Sequence, residues 1–137
     1  MSLFYLDSSA IVKLIRDERE TATLQTFIRD AELISCALVL TEVPRAVRRA
    51  AASEPRLPLD ALIAHVGDLI DVFALVPLDE ALLEVAGALE APALRSLDAI
   101  HVAAAASVSP ISAFVSYDER QSAAGRLAGL RTAAPGG

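Results

Sequence analysis

Leu3-Phe4-Tyr5-Leu6-Asp7-Ser8-Ser9-Ala10-Ile11-Val12-Lys13-Leu14-Ile15-Arg16 changes its period part-way along. Leu3 to Leu6 is an unbroken apolar run that stops at an acid, as a short buried strand does. From Ser8 to Arg16 the residues Ile11, Leu14 and Ile15 share one face at helical spacing. A strand feeding directly into a helix opens an α/β unit, and the rest of the chain repeats the pattern. Strands are predicted at Glu32 to Cys36, Phe73 to Val76 and Ala113 to Tyr117. Helices are predicted at about Arg19 to Arg29, from Thr41 to before Pro55, around Leu62-Val66-Leu69-Ile70, at Asp79 to Glu90, at Ser96 to Ser107 and at Glu119 to Leu127. In the helix from Thr41, threonine serves as the cap and Pro44 falls in the first turn, where a missing N–H costs little. Apolar strands without alternation, separated by helices, imply a parallel sheet covered on both faces. The expectation is one domain over residues 1–132 and a flexible tail over 133–137.

The composition agrees with a packed domain: 137 residues, 54 % of them hydrophobic and 22 % charged, leave no room for global disorder. One cysteine, Cys36, excludes an internal disulfide framework and a cysteine-based zinc cage, and two isolated histidines, His65 and His101, make no histidine cage. The N-terminus meets Asp7 before any apolar run reaches signal-peptide length. The uncharged run from Ala99 to Tyr117 holds His101, four serines and a Ser109-Pro110 break, so it reads as helix, turn and strand rather than a membrane span. A cytoplasmic protein without membrane attachment is expected.

Four acids interrupt apolar surroundings: Asp7 after Leu3 to Leu6, Glu42 after Ala37-Leu38-Val39-Leu40-Thr41, Asp98 within Leu97-Asp98-Ala99-Ile100, and Asp118 after Ala113 to Tyr117. Ligands in open parallel sheets bind beyond the carboxyl ends of strands, where Asp7 and Asp118 fall, with the helix starts carrying Glu42 and Asp98 beside them. Carboxylates brought together repel and raise one another's pKa, which is tolerable around a cation. Oxygen ligands of this kind select Mg²⁺ or Mn²⁺, ions that activate water and stabilise a leaving oxygen in phosphodiester hydrolysis. Each acid also has a plain structural reading: Asp7 as a helix cap, Glu42 and Asp98 as first-turn acids, Asp118 as a turn residue.

Asp7-Ser8-Ser9-Ala10, Thr41-Glu42, Leu97-Asp98-Ala99-Ile100-His101-Val102-Ala103 and Ser116-Tyr117-Asp118, in that order over nearly the whole chain, resemble the successive motifs of PIN-domain ribonucleases. The small single-domain form is similar to VapC-type toxins of bacterial toxin-antitoxin pairs. The resemblance implies a PIN-like three-layer α/β/α sandwich with a short-stranded parallel sheet. It also implies an endoribonuclease dependent on Mg²⁺ or Mn²⁺, an RNA substrate, a cognate antitoxin that inhibits it, and a homodimer. Carried over residue by residue, it makes Asp7, Glu42, Asp98 and Asp118 the catalytic and metal-binding quartet and Ser9 an accessory, with Ser116 and Glu119 as lesser candidates.

A net charge of −6 argues against general nucleic-acid binding, so any RNA contact must be local. Arg45 and Arg49 follow Glu42 on one helix face, and Lys13 and Arg16 follow Ser9. These four are the candidate RNA-binding residues, although Arg45 also has the simpler option of pairing with Glu42. His101 is within reach of Asp98 but reads more simply as a packed histidine, and Cys36 as a small buried residue. Two other function classes are weaker. A haloacid-dehalogenase-like phosphatase would use Asp7 as nucleophile but wants a second Asp where Ser9 stands. A receiver-like or other non-catalytic binding module would need a lysine later in the chain than Lys13. A PIN-type nuclease outside any toxin pair is a further alternative.

Overall fold

The computed structural model describes residues 1–137. The elements are β1 (Leu3–Leu6), α1 (Ser8–Ile15), α2 (Thr21–Phe27), β2 (Glu32–Cys36), α3 (Val39–Ser53), α4 (Leu59–Ile70), β3 (Ala74–Val76), α5 (Glu80–Gly87), α6 (Ser96–Ser107), β4 (Ala113–Val115), α7 (Glu119–Leu127) and β5 (Thr132–Ala133). The strands form one sheet in the order β3-β2-β1-β4-β5, all neighbours parallel. β1 is therefore central, paired to β2 through Phe4 and Leu33 and to β4 through Leu6 and Val115.

Side chains alternate across a strand, and β1 divides its residues accordingly. Phe4 and Leu6 join one core with Ile11, Leu14, Val43, Val47 and Val66 from α1, α3 and α4. Tyr5 joins the other with Leu82, Val102, Phe114 and Ala124. Helices thus cover both faces, the three-layer α/β/α arrangement expected. In α6, Ala103, Ala104 and Ala105 are all buried, so short side chains let this helix press against its neighbours on several sides.

Two departures from expectation bear on the site and on the tail. α3 begins at Val39, two residues before the anticipated Thr41 cap, which puts Pro44 inside the helix. The reason lies in the spacing of Val39, Val43 and Val47, all fully buried, which sets the inward stripe one turn earlier than an apolar Ala37–Leu40 run suggests. Glu42 N already bonds the Leu38 carbonyl at 2.9 Å, so the acid is held on a formed helical turn. The second departure is β5. Gly129, at φ 86°, turns the chain back after α7 in the left-handed region that glycine takes without strain. Thr132 and Ala133 then pair with Phe114 and Val115. The tail expected to be flexible from 133 is tied down: Ser116 N bonds the Ala133 carbonyl at 3.1 Å and Tyr117 Oη donates to the Pro135 carbonyl at 2.7 Å.

Candidate active site

Because Leu6 lies opposite Val115, the residues that follow, Asp7 and Ser116, leave the sheet side by side. Ser116 Oγ donates to Asp7 Oδ2 at 2.5 Å, while Ser9 Oγ and Ala10 N donate to Oδ1 at 2.6 and 3.0 Å. Asp7 is the N-cap of α1, where helix-end N–H groups favour a negative charge. The residue is completely buried. Burial pushes its carboxyl pKa up, and the Ser116 and Ser9 hydroxyls hold it down in part. The same two hydroxyls order the following loop, accepting from Asp118 N at 3.0 Å and Tyr117 N at 2.9 Å.

Asp118 caps α7 through Oδ1, which accepts from Arg120 N and Gln121 N at 2.9 and 3.3 Å. Glu42 and Asp98 stand in the first turns of α3 and α6. These three carboxylates line a cleft of about 590 Å³. Asp7 does not line it but is reached through Ser9, which does. Gln121 Nε2 donates to Asp98 Oδ1 at 2.9 Å. Burial raises the Asp98 pKa, and the charges of Asp118 and Glu42 raise it further, the electrostatic mark of acids crowded into one place.

A family model described as PIN domain matches residues 4–127. This chain belongs to the PIN domain family. Among its relatives, "Ribonuclease VapC35" of Mycobacterium tuberculosis is 41 % identical over 140 residues, covering 98 % of both chains. "Ribonuclease VapC46" of the same species is 37 % identical over 137 residues, covering 98 % of this chain and 99 % of its own. A crystal structure of PAE2754 from Pyrobaculum aerophilum superposes with a TM-score of 0.67 at 19 % identity, over 96 % of this chain and 83 % of that one, a likeness of fold.

The candidate residues of this PIN domain separate into those gathered at the cleft and those outside it. Glu42, Asp98, Asp118 and Ser9 line it, and Asp7 and Ser116 support it from behind. Glu119 belongs elsewhere: its side chain is 87 % exposed and pairs with Arg126 at 3.1 Å, because one step along α7 rotates it away from Asp118. Arg45 and Arg49 line the cleft with no ion pair, so the Glu42–Arg45 pairing is absent. Lys13 also lines it, but its ammonium is taken by Glu18 and Glu20 at 3.0 and 2.6 Å. Arg16 pairs with Glu54 at 3.1 Å and lies outside the cleft.

Sequence reasoning missed Gln121 as the partner of Asp98; the reading of His101 as a packed histidine holds, but the acid it meets is Glu42 and not the Asp98 within its reach. His101, fully buried, meets Glu42 Oε1 through Nε2 at 2.6 Å, and Tyr5 Oη lies 2.8 Å from its Nδ1. Burial alone pushes an imidazole pKa down, but hydrogen bonds to Cys36 and Glu42 outweigh it and push His101 up to about 10. Helical spacing sets Gln121 near Asp118 and His101 near Asp98, and neither spacing points to the partner each side chain takes.

The donor set suits a hard, hydrated cation. Glu42 Oε2, Asp98 Oδ2 and Asp118 Oδ2 have no donor within the chain, and no thiolate or free imidazole competes at the cleft. No three His, Cys, Asp or Glu side chains close on one point as a dehydrated cage would, and the four-ligand set expected from sequence is not closed, since Asp7 is enclosed and bonded at both oxygens. Mg²⁺ commonly retains several waters and takes only one or two carboxylates directly, which an open acidic cleft allows. No helix is long and apolar enough to cross a membrane.

Proposed function

We propose that this PIN domain is a Mg²⁺- or Mn²⁺-dependent endoribonuclease and the toxin of a toxin-antitoxin pair. The observation that carries the reading is one cleft in which Glu42, Asp98 and Asp118, each with an unpaired oxygen, share the lining with Arg45 and Arg49, which have no ion-pair partners. The ribonuclease names of VapC relatives matched along 98 % of this chain support it. Glu42, Asp98 and Asp118 would hold the cation from the cleft, with Asp7 behind them as the buried member of the quartet. Such an ion supplies Lewis acidity towards a water nucleophile and the scissile phosphate. Arg45 and Arg49 bind the phosphates either side of the scissile bond, which a chain of net charge −6 needs at its acidic cleft. Ser9 and Ser116 keep Asp7 in place, and Gln121 keeps Asp98.

The test is cleavage of a labelled RNA in Mn²⁺ against EDTA, with end-group analysis of the products. The reading expects 5′-phosphate ends formed only with the cation, and none from Asp98→Asn. Cleavage in EDTA, or 2′,3′-cyclic ends, rejects it. The antitoxin is part of the same reading, supported by the VapC relatives, and so is a homodimer, supported by exposed Leu83, Val85, Leu97 and Leu127. A sedimenting mass of 14.4 kDa at every concentration would remove the dimer.

A further inference from the structure

His101 is completely buried, yet all its polar contacts are made with three residues: Glu42, Tyr5 and Cys36. It sits on α6 with Asp98 but crosses to the acid on α3. A carboxylate only accepts, so the 2.6 Å contact puts a hydrogen on Nε2. The other nitrogen is met by Tyr5 Oη at 2.8 Å, from the central strand, so the ring is gripped at both ends. Tyr5 is itself fixed, fully buried with its ring stacked on Phe114 at a centroid separation of 5.5 Å. The chain Tyr5–His101–Glu42 therefore runs from the middle of the sheet to the cleft and ends on one carboxylate oxygen, leaving the other unpaired.

We propose that His101, braced by Tyr5, is a positioning residue that fixes the Glu42 carboxylate for cation binding at the cleft. The inference rests on the reading of the cleft as a cation site. Glu is long and flexible, and side chains that ligate metals depend on hydrogen bonds behind them for their aim. Here Oε1 is immobilised and Oε2 is left for the ion, whereas Asp7 and Asp118 are aimed by helix caps and Asp98 by Gln121. Glu42 has no cap of this kind, since the N-cap of α3 is Leu38.

The experiment is Mn²⁺ calorimetry on the full chain, with His101→Leu, His101→Gln, Tyr5→Phe and Glu42→Ala, and with each of the first three combined with Glu42→Ala. Cleavage of a labelled RNA is read alongside. His101→Leu should weaken Mn²⁺ binding by about 10- to 100-fold, the usual range for losing a partner of a metal ligand. His101→Gln should recover most of it, because the glutamine amide can present N–H where imidazole Nε2 stood. Tyr5→Phe should weaken it several-fold, and none of the three should matter once Glu42 is alanine. Unchanged Mn²⁺ affinity in His101→Leu, an equal loss in the Glu42→Ala background, or a Gln variant no better than Leu would overturn the inference. If His101→Leu does not fold, Tyr5→Phe decides: a loss that vanishes with Glu42→Ala supports positioning, and no loss overturns it. A parent chain that binds no Mn²⁺ rejects the cation site itself, a result separable from all of these.

Discussion

Replacing Ser116 with alanine removes one hydroxyl that holds two things at once. Its hydrogen bond to the buried Asp7 carboxylate is of the charged kind, worth about 1.5–3 kcal/mol, and its acceptance from Asp118 N adds about 0.5–1.5 kcal/mol. No larger atom leaves and Ser116 has no exposed surface, so cavity and solvation changes are small. The expected cost in EDTA at pH 7 is about 2–4.5 kcal/mol, a shift of about 1–2 M in the urea midpoint. The cost should depend on pH. Asp7 has a folded pKa raised by burial, so the stability linked to its protonation is fully present below its unfolded value of about 3.9 and is lost as pH rises through the folded pKa. Without the Ser116 hydroxyl that pKa rises further, and more stability is lost on the way to neutrality. The gap between parent and variant should therefore be small at the acid end and widest near pH 7. Urea titrations at several pH values measure it. A gap under about 0.5 kcal/mol at pH 7, the size of a neutral surface change, or one that stays constant with pH, refutes the role given to this hydroxyl.

Asp98→Asn relieves the repulsion from Asp118 and Glu42 and keeps an oxygen for Gln121, so in EDTA it should melt no lower than the parent while losing Mn²⁺-dependent RNA cleavage. Val47→Ala, in the fully buried stripe of α3, should cost about 2 kcal/mol by denaturant titration. Arg45→Ala and Arg49→Ala, each made with Asp98→Asn to prevent turnover, should weaken binding of a single-stranded RNA. Each should also flatten the slope of log affinity against log salt by about 0.7. Arg16→Ala, bound up with Glu54 away from the cleft, should leave that slope unchanged.

β1 and α1 are legible in the sequence because a run of four apolar residues and a stripe of Ile11, Leu14 and Ile15 have different periods on either side of Asp7. The carboxylates stand out for a related reason, each interrupting an apolar run. β5 is not legible, since two residues carry no period and the pairing depends on a turn at Gly129 placed by α7. The start of α3 is hidden because Ala37 to Leu40 suits a strand end as well as a helix start. Adjacency in sequence misled at Glu119, which α7 turns away from Asp118, and helical spacing from Ser9 misled at Arg16, because α1 ends at Ile15 and Arg16 caps it in extended conformation. Contacts between elements, such as His101 with Glu42 and Gln121 with Asp98, follow from how α3, α6 and α7 converge.

Asp7 caps α1, sits against the end of the central strand and organises the loop after β4 through two serines. An inactive form made by changing it, as would be natural for expressing a toxic protein or trapping a complex, removes part of the scaffold along with the charge. Silence from an Asp7→Ala chain in a growth assay is then compatible with loss of the protein itself. Asp98, half-way to the surface and satisfied by one amide, is the position at which activity can be switched off while the shape seen by a partner or an RNA is retained.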